Sequence, residues 1–283
     1  MAINTVGIVG AGIMGAGVAE VAAASGFDVV LRSRSREAAE ATLRRVSASL
    51  ERQVAKDKLQ AADAAAILTR ISPTTDFADL AECDLVIESV VENLGIKIAV
   101  FKELDQVTKP KAILATNTST LPVIEMATAT NRPGQVCGLH FFNPAPAMTI
   151  VELVAPLTAS TETMEAVTAF TTACGKTPIA VKDQAGFVVN ALLFPYLNNA
   201  IRLLEGGVAT KEGIDTAMKG GCNFPMGPLA LLDLVGLDTS LAILDALYEE
   251  YGDANYRAVP LLRRMVAAGQ LGRKSGTGFY DYT

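Results

Sequence analysis

The chain opens on a short apolar run, Val6–Val9, that ends in glycines. An Ala-rich stretch of helical character, Ile13–Ser25, follows it, and then a second apolar run, Phe27–Leu31. Strand, helix and strand in that order make a βαβ unit, which predicts a parallel sheet covered by helices. Asp84–Glu88, Ala112–Ala115 and Val136–Phe142 are further apolar runs of strand length, bounded by turn or charged residues, and Ile150–Val154 adds another close behind. Between the second strand and Asp84 lies Arg36–Arg70, charged and rich in Ala. It exceeds an ordinary crossover and reads as a helical hairpin inserted in the sheet domain.

The pattern changes after Asp183. Phe187–Leu204, Thr210–Met218, Leu229–Leu234, Thr239–Tyr251 and Pro260–Ala268 read as helices broken by Gly or Pro, and no strand of comparable quality follows. A boundary near Asp183–Gly186 gives two domains: residues 1–184, with the inserted hairpin at about 36–70, and a smaller all-helical domain at 185–283. Gln184–Ile201 carries no charge and has the length of a membrane span. Gln184, Asn190, Pro195, Asn198 and Asn199 make it too polar for lipid, so it reads as a buried helix at a subunit contact. The Gly- and aromatic-rich end, Gly276–Tyr282, is expected to dock back on the body.

Composition narrows the class. Half of the 283 residues are hydrophobic, which suits a folded α/β enzyme, and a net charge of −6 argues against a general nucleic-acid binder. The four cysteines (Cys83, Cys137, Cys174, Cys222) are scattered, and there is one histidine. That spacing fits neither a zinc site nor a disulfide scaffold, so reduced cytoplasmic thiols are expected. The chain opens directly on its first apolar strand, with no charged leader or cleavage site, so no targeting segment is expected.

Gly10-Ala11-Gly12-Ile13-Met14-Gly15 fits G-x-G-x-x-G. The match is informative because it follows a strand and opens a helix, the context of a Rossmann-type dinucleotide site. Gly10 permits the tight turn, Gly12 lets backbone approach a pyrophosphate, and Gly15 lets helix and strand pack. The helix N-terminus offers free N–H groups to phosphate. An NAD site usually has an acid at the end of the second strand, accepting from the ribose 2′-hydroxyl. Here that position is Ser33, flanked by Arg32, Arg34 and Arg36. Ser33 or Ser35 can donate to a 2′-phosphate, and Arg32 or Arg34 can pair with its charge. This favours NADP, with NAD the alternative; the bland reading is a solvated basic turn.

From Arg32 to Lys58 the basic residues are Arg32, Arg34, Arg36, Arg44, Arg45, Arg52, Lys56 and Lys58, against Glu37, Glu40, Glu51 and Asp57. Charged helices often carry such faces for solubility alone. The functional alternative is a second anionic ligand beside the dinucleotide, and coenzyme A with its phosphates is one candidate.

His140 stands at the end of an apolar strand, where open parallel sheets place their ligands. Glu152 lies inside the next apolar run, and a carboxylate there is costly unless it is paired. The two make a sensible pair in which the acid fixes the tautomer and stabilises imidazolium, as a base taking an alcohol proton needs. A buried Glu bonded to backbone or water is the alternative. Ser119, in Asn117-Thr118-Ser119-Thr120-Leu121-Pro122, reads either as a helix N-cap or as a hydroxyl on the substrate oxygen. Asn190, early in an apolar helix at the domain junction, needs hydrogen-bond partners and reads as a cleft-facing amide. Glu92 and Lys97 read as a helix-start acid and a solvated lysine.

Taken in order, GIVGAGIMG at Gly7–Gly15, VVEN at Val90–Asn93, ATNTST at Ala115–Thr120, GLHFFNPAP at Gly138–Pro146, DQAGFVVN at Asp183–Asn190, PMGPLALLDLVGLD at Pro225–Asp238 and GRKSGTGFYDY at Gly272–Tyr282 resemble the 3-hydroxyacyl-CoA dehydrogenase family over essentially the whole chain. The resemblance implies His140 as general acid/base, Glu152 as its orienting partner, and Ser119 and Asn190 as donors to the substrate's 3-oxygen. It implies cofactor contacts at Glu92, Lys97, Asn143 and Lys274, coenzyme A contacts at Ser49 and Lys56, and a homodimer through the helical domain. The Arg-Ser-Arg turn is similar to short-chain members, acting on 3-hydroxybutyryl-CoA, that use NADP. Ala191 stands where many members have Arg. Two rivals remain: a related dehydrogenase of a sugar acid or small hydroxy acid, and a non-catalytic dinucleotide-binding protein on the same fold.

Overall fold

The structure, a computed structural model, describes residues 2–282. It divides into two compact units, Met1–Asp183 and Gln184–Thr283.

The first unit begins with β1 (Thr5–Val9), α1 (Ile13–Ala24) and β2 (Asp28–Arg32), followed by the inserted pair α2 (Arg36–Val54) and α3 (Ala61–Thr69). Then come β3 (Ile71–Thr74), β4 (Leu85–Glu88), α4 (Leu94–Val107), β5 (Ile113–Thr116), α5 (Val123–Thr128), β6 (Val136–Phe141), β7 (Ile150–Ala155), α6 (Thr161–Ala173) and β8 (Thr177–Lys182). The strands form one sheet in the order β3-β2-β1-β4-β5-β6-β7-β8. Every neighbouring pair is parallel except β6 with β7. This is the mostly parallel, helix-covered sheet that the apolar runs predict.

Val6, Ile8, Leu31, Leu85, Ile87 and Leu139 are wholly buried in its core, each worth about 1.5–3 kcal/mol of burial. In α1 the small Ala19 and Ala22 face the same core, so that helix lies close on the sheet. In α2 the buried stripe Ala39, Thr42, Val46 and Leu50 follows helical spacing while the charged residues face outward.

The two strands that the apolar pattern does not announce, β3 and β8, are the two edges of the sheet. Each contains a proline, Pro73 or Pro178, and mostly uncovered side chains. An edge strand tolerates both, because one side of its ladder needs no partner.

The second unit holds α7 (Val189–Glu205), α8 (Lys211–Cys222), α9 (Pro228–Val235), α10 (Leu237–Tyr251) and α11 (Pro260–Ala267), around Phe194, Leu197, Ile201, Leu232, Leu244 and Leu262. The first helix starts later than the apolar pattern predicts, because Gly186 and Phe187 take positive φ. The expected burial of Gln184–Ile201 is incomplete: Leu192 is 72% exposed. Among the described residues no helix is long and apolar enough to cross a membrane. The C-terminal segment returns onto α9, where the buried Asp233 accepts from Phe279 N and Tyr280 N at 2.9 Å each.

Candidate active site

The antiparallel pairing of β6 and β7 sets His140 directly opposite Glu152. Both are buried, and His140 Nδ1 lies 2.7 Å from Glu152 Oε2. An ionised Glu152 accepts only, so the ring carries its proton on Nδ1 and turns the Nε2 lone pair outward. The Phe142 ring packs against the imidazole at 4.5 Å between centroids, which further limits its rotation.

Ser119 Oγ sits 3.0 Å from His140 Nε2. The helix-capping alternative for Ser119 fails. The carboxylate of Asp183 caps α5 instead, accepting from Val123 N at 3.0 Å and Ile124 N at 2.7 Å, and burial pushes its pKa up. Asn117, which the sequence did not single out, clips the strand ends together: it donates to Ser89 Oγ (3.1 Å) and accepts from Phe141 N (2.9 Å). Ser119, His140 and Glu152 thus stand in line across the carboxyl ends of β5 and β6.

Lys97 is not the solvated lysine expected. It is wholly buried, and its Nζ lies 2.8 and 3.0 Å from the two oxygens of Glu88 and 3.3 Å from Glu92 Oε2. Glu88 also accepts from Val90 N (2.6 Å) and Thr116 Oγ1 (2.8 Å). Glu92 accepts from the Thr118 hydroxyl and from Ser119 N at 3.0 Å. Glu88 was readable: it is an acid closing an apolar strand, the same signal that marks Glu152.

The glycine loop is tight. A Cβ on Gly10, which has φ +131°, would meet Ser89 O at 2.3 Å, and one on Gly15 would meet Gly10 O at 2.0 Å. Gly12 has open space around it. It begins α1 without a side-chain cap, leaving the helix N–H groups for a phosphate. Ile13 is exposed at the loop, while Met14 packs against the sheet core. Arg45 Nη1 donates to Ala11 O (2.8 Å), and the single proton of the Thr42 hydroxyl is shared between Ala38 O (2.8 Å) and Ala11 O (3.0 Å), so the inserted hairpin braces the loop.

At the end of β2, Ser33 is buried and its Oγ has no hydrogen-bond partner, as is true of Arg32 Nε. The Arg32 guanidinium lies 3.8 Å over the Phe77 ring, and burial lowers its pKa. Arg34 is exposed, and Ser35 is spent as the N-cap of α2, accepting from Ala38 N. Two orphaned polar atoms beside the glycine loop fit a cofactor that brings acceptors to them.

A cleft of about 590 Å³ opens between α1, α2 and the 143–147 segment, lined by Arg45, Ser49, Arg52, Lys56, Lys58 and Asn143 among others. Ser49 and Lys56 are therefore brought together with Asn143. On its floor, Glu20 is 4% exposed and accepts from Ser49 Oγ (3.1 Å) and Gln53 Nε2 (2.8 Å). Burial pushes its pKa up. Lys176 Nζ holds the cleft's other wall through the carbonyls of Ala145, Pro146 and Met148.

Asn190 and Lys274 belong to the second unit. Asn190 is buried in the first turn of α7, and Lys274 Nζ pairs with Asp238 Oδ1 at 2.5 Å.

A glycine loop opening a helix, a mostly parallel sheet and a histidine–carboxylate pair at the strand ends define a nicotinamide-dependent oxidoreductase. Sequence models of 3-hydroxyacyl-CoA dehydrogenase match nearly the whole chain, the NAD binding domain over residues 5–184 and the C-terminal domain over 186–282. The chain belongs to the 3-hydroxyacyl-CoA dehydrogenase family. It is 50% identical to a probable 3-hydroxybutyryl-CoA dehydrogenase of Deinococcus radiodurans, over 98% of this chain and 99% of that one. It is 47% identical to a 3-hydroxybutyryl-CoA dehydrogenase of Clostridioides difficile, over 97% and 98%. The crystal structure of (S)-3-hydroxybutyryl-CoA dehydrogenase PaaH1 from Ralstonia eutropha superposes with a TM-score of 0.97, at 46% identity and full coverage of both chains.

Proposed function

We propose that the chain interconverts L-3-hydroxyacyl-CoA and 3-oxoacyl-CoA, with 3-hydroxybutyryl-CoA and acetoacetyl-CoA as its pair and NADP(H) as its cofactor. The line Ser119–His140–Glu152 carries this reading. When bound, the nicotinamide supplies the acceptor or donor of hydride. In oxidation, His140 Nε2 takes the proton of the 3-hydroxyl, and Glu152 on Nδ1 stabilises the imidazolium that forms. Ser119 donates to the oxygen as its charge develops, and Asn190 of the helical unit is the second donor we assign. In reduction the same groups return the proton. Gly10, Gly12 and Gly15 admit the pyrophosphate, and Ile13, Met14, Glu92, Asn143 and Lys274 are the further cofactor contacts of this reading; Lys97, wholly buried against Glu88 and Glu92, acts on the cofactor only through Glu92.

The unpartnered Ser33 Oγ and Arg32 Nε, with the exposed Arg34 next to them, support NADP, because a 2′-phosphate brings acceptors where the NAD-type acid is missing. The basic cleft supports coenzyme A, with Lys56 on its phosphates. Ser49 has a narrower part there. Its one proton goes to Glu20, so it can only accept from the ligand, from an amide or amino N–H rather than a phosphate. The relatives' names support the four-carbon substrate. Leu192 (72% exposed) and Leu203 (46% exposed) on α7 support assembly as a homodimer through the helical unit.

One assay tests the whole reading: oxidation of NADPH and NADH with acetoacetyl-CoA or free acetoacetate, set beside reduction of NADP+ and NAD+ with L-gulonate. We expect turnover with acetoacetyl-CoA and a higher kcat/KM with NADPH. A higher kcat/KM with NADH removes the cofactor assignment, and equal turnover of free acetoacetate removes the coenzyme A assignment.

A further inference from the structure

We propose that Glu88 is a positioning residue for the Ser119–His140 contact, acting through Lys97 and Glu92. The proposal rests on the reading that Ser119 and His140 perform the chemistry. Glu88 touches neither of them. It closes β4 with no solvent exposure, and four donor contacts converge on it: two from Lys97 Nζ, one from Val90 N and one from Thr116 Oγ1. A carboxylate so fully satisfied has one position, and it fixes the ammonium of Lys97 with it.

The fixed ammonium sets the next group. Glu92 Oε2 lies 3.3 Å from Lys97 Nζ, yet the Glu92 side chain is 41% exposed. Without that charge behind it, water would compete for its carboxylate. Held there, Glu92 uses Oε1 to accept from the Thr118 hydroxyl and from Ser119 N. Thr118 Oγ1 in turn accepts from Leu121 N at 3.0 Å. The turn that carries Ser119 is thereby fastened to the end of β4, and Ser119 Oγ comes to rest 3.0 Å from His140 Nε2. Asn117 ties the same region independently, so loss of Glu88 loosens the turn without undoing it.

The test is a double-mutant cycle read by kcat and KM with acetoacetyl-CoA and NADPH. Glu88→Gln lowers kcat roughly tenfold, the worth of one well-placed hydrogen bond, with KM for the thioester within about twofold. Thr118→Val, which leaves the Glu88–Lys97 pair in place, lowers kcat by a similar factor, and Thr118→Ser restores most of it. In a Ser119→Ala background neither change costs more than about twofold further, because the group being positioned is gone. Costs that multiply in full with Ser119→Ala overturn the proposal, since they mark a general loosening of the fold. Wild-type kcat in soluble Glu88→Gln and Thr118→Val overturns it too. If Glu88→Gln does not fold, Thr118→Val carries the same comparison. Wild-type kcat in Ser119→Ala alone removes the role given to Ser119, and this proposal with it. An impaired Ser119→Ala with multiplying costs removes only this one.

Discussion

Glu152 and Glu88 stand on one sheet, both with no exposed side-chain surface, both within 2.8 Å of a basic nitrogen. Their partners differ. Glu152 meets an imidazole, which can take up and give up a proton and so can shed its charge if its partner is taken away. Glu88 meets a buried ammonium, which keeps only the partly exposed Glu92, at 3.3 Å, as its counter-charge when Glu88 is removed. The first pair can move a proton; the second holds a charge still. On the proposed reading, the sheet uses the same acid, buried to the same depth, for reactivity in one place and for rigidity in the other.

That contrast breaks or sharpens in measurable ways. The largest effect is at the reactive pair: His140→Ala lowers kcat by about 10²–10⁴-fold while dinucleotide affinity, read by fluorescence titration, changes little. Glu152→Gln follows it closely in turnover, yet costs only about 1 kcal/mol in urea denaturation, because the ring can go neutral. Glu88→Gln reverses the balance, with a loss of about 3–5 kcal/mol of stability and the smaller fall in turnover given above. Equal stability losses at Glu152 and Glu88 would end the comparison.

The next effect belongs to the β2 turn. Ser33→Asp replaces the orphaned hydroxyl with the acid of an NAD site and moves the ratio of kcat/KM for NADPH over NADH down by roughly tenfold or more. An unchanged ratio would place the 2′ recognition elsewhere.

The smallest effect is at a third buried acid, Glu20, whose hydrogen-bond donors Ser49 and Gln53 are neutral. Burial raises its pKa above the ordinary 4.5. The folded chain therefore holds this proton more tightly than the unfolded one. The associated stability is fully present below the unfolded value and is lost as pH rises through the raised folded one. Glu20→Gln avoids that loss, so its Tm relative to wild type rises between pH 5 and pH 8, by about 1–2 °C. A relative Tm that falls over the same interval would contradict the assignment.

Much of this was legible in the sequence. A carboxylate inside the apolar run Ile150–Val154 needs a partner, and His140 across the β6–β7 pairing is that partner. The same rule applied to Asp84–Glu88 leads to Glu88, but its cation, Lys97, reads in isolation as a solvated lysine on a helix. Only the fold shows it buried. The two readings of Ser119 could not be separated from local sequence, because the group that caps α5 in its place, Asp183, is 60 residues from Val123. The edge strands β3 and β8 were hidden for a plainer reason: edges bury little, so selection for core packing leaves little mark on them.

The bracing of Ala11 O by Thr42 and Arg45 has a consequence for how this chain can vary. An insertion in a surface crossover is ordinarily free to lengthen, shrink or vanish. This one cannot do so alone, since its removal would strip a carbonyl in the glycine loop of the Arg45 donor and of its share in the Thr42 hydroxyl. Hairpin and loop are therefore expected to change together across lineages. A graft of this nucleotide loop onto another scaffold must bring α2 with it.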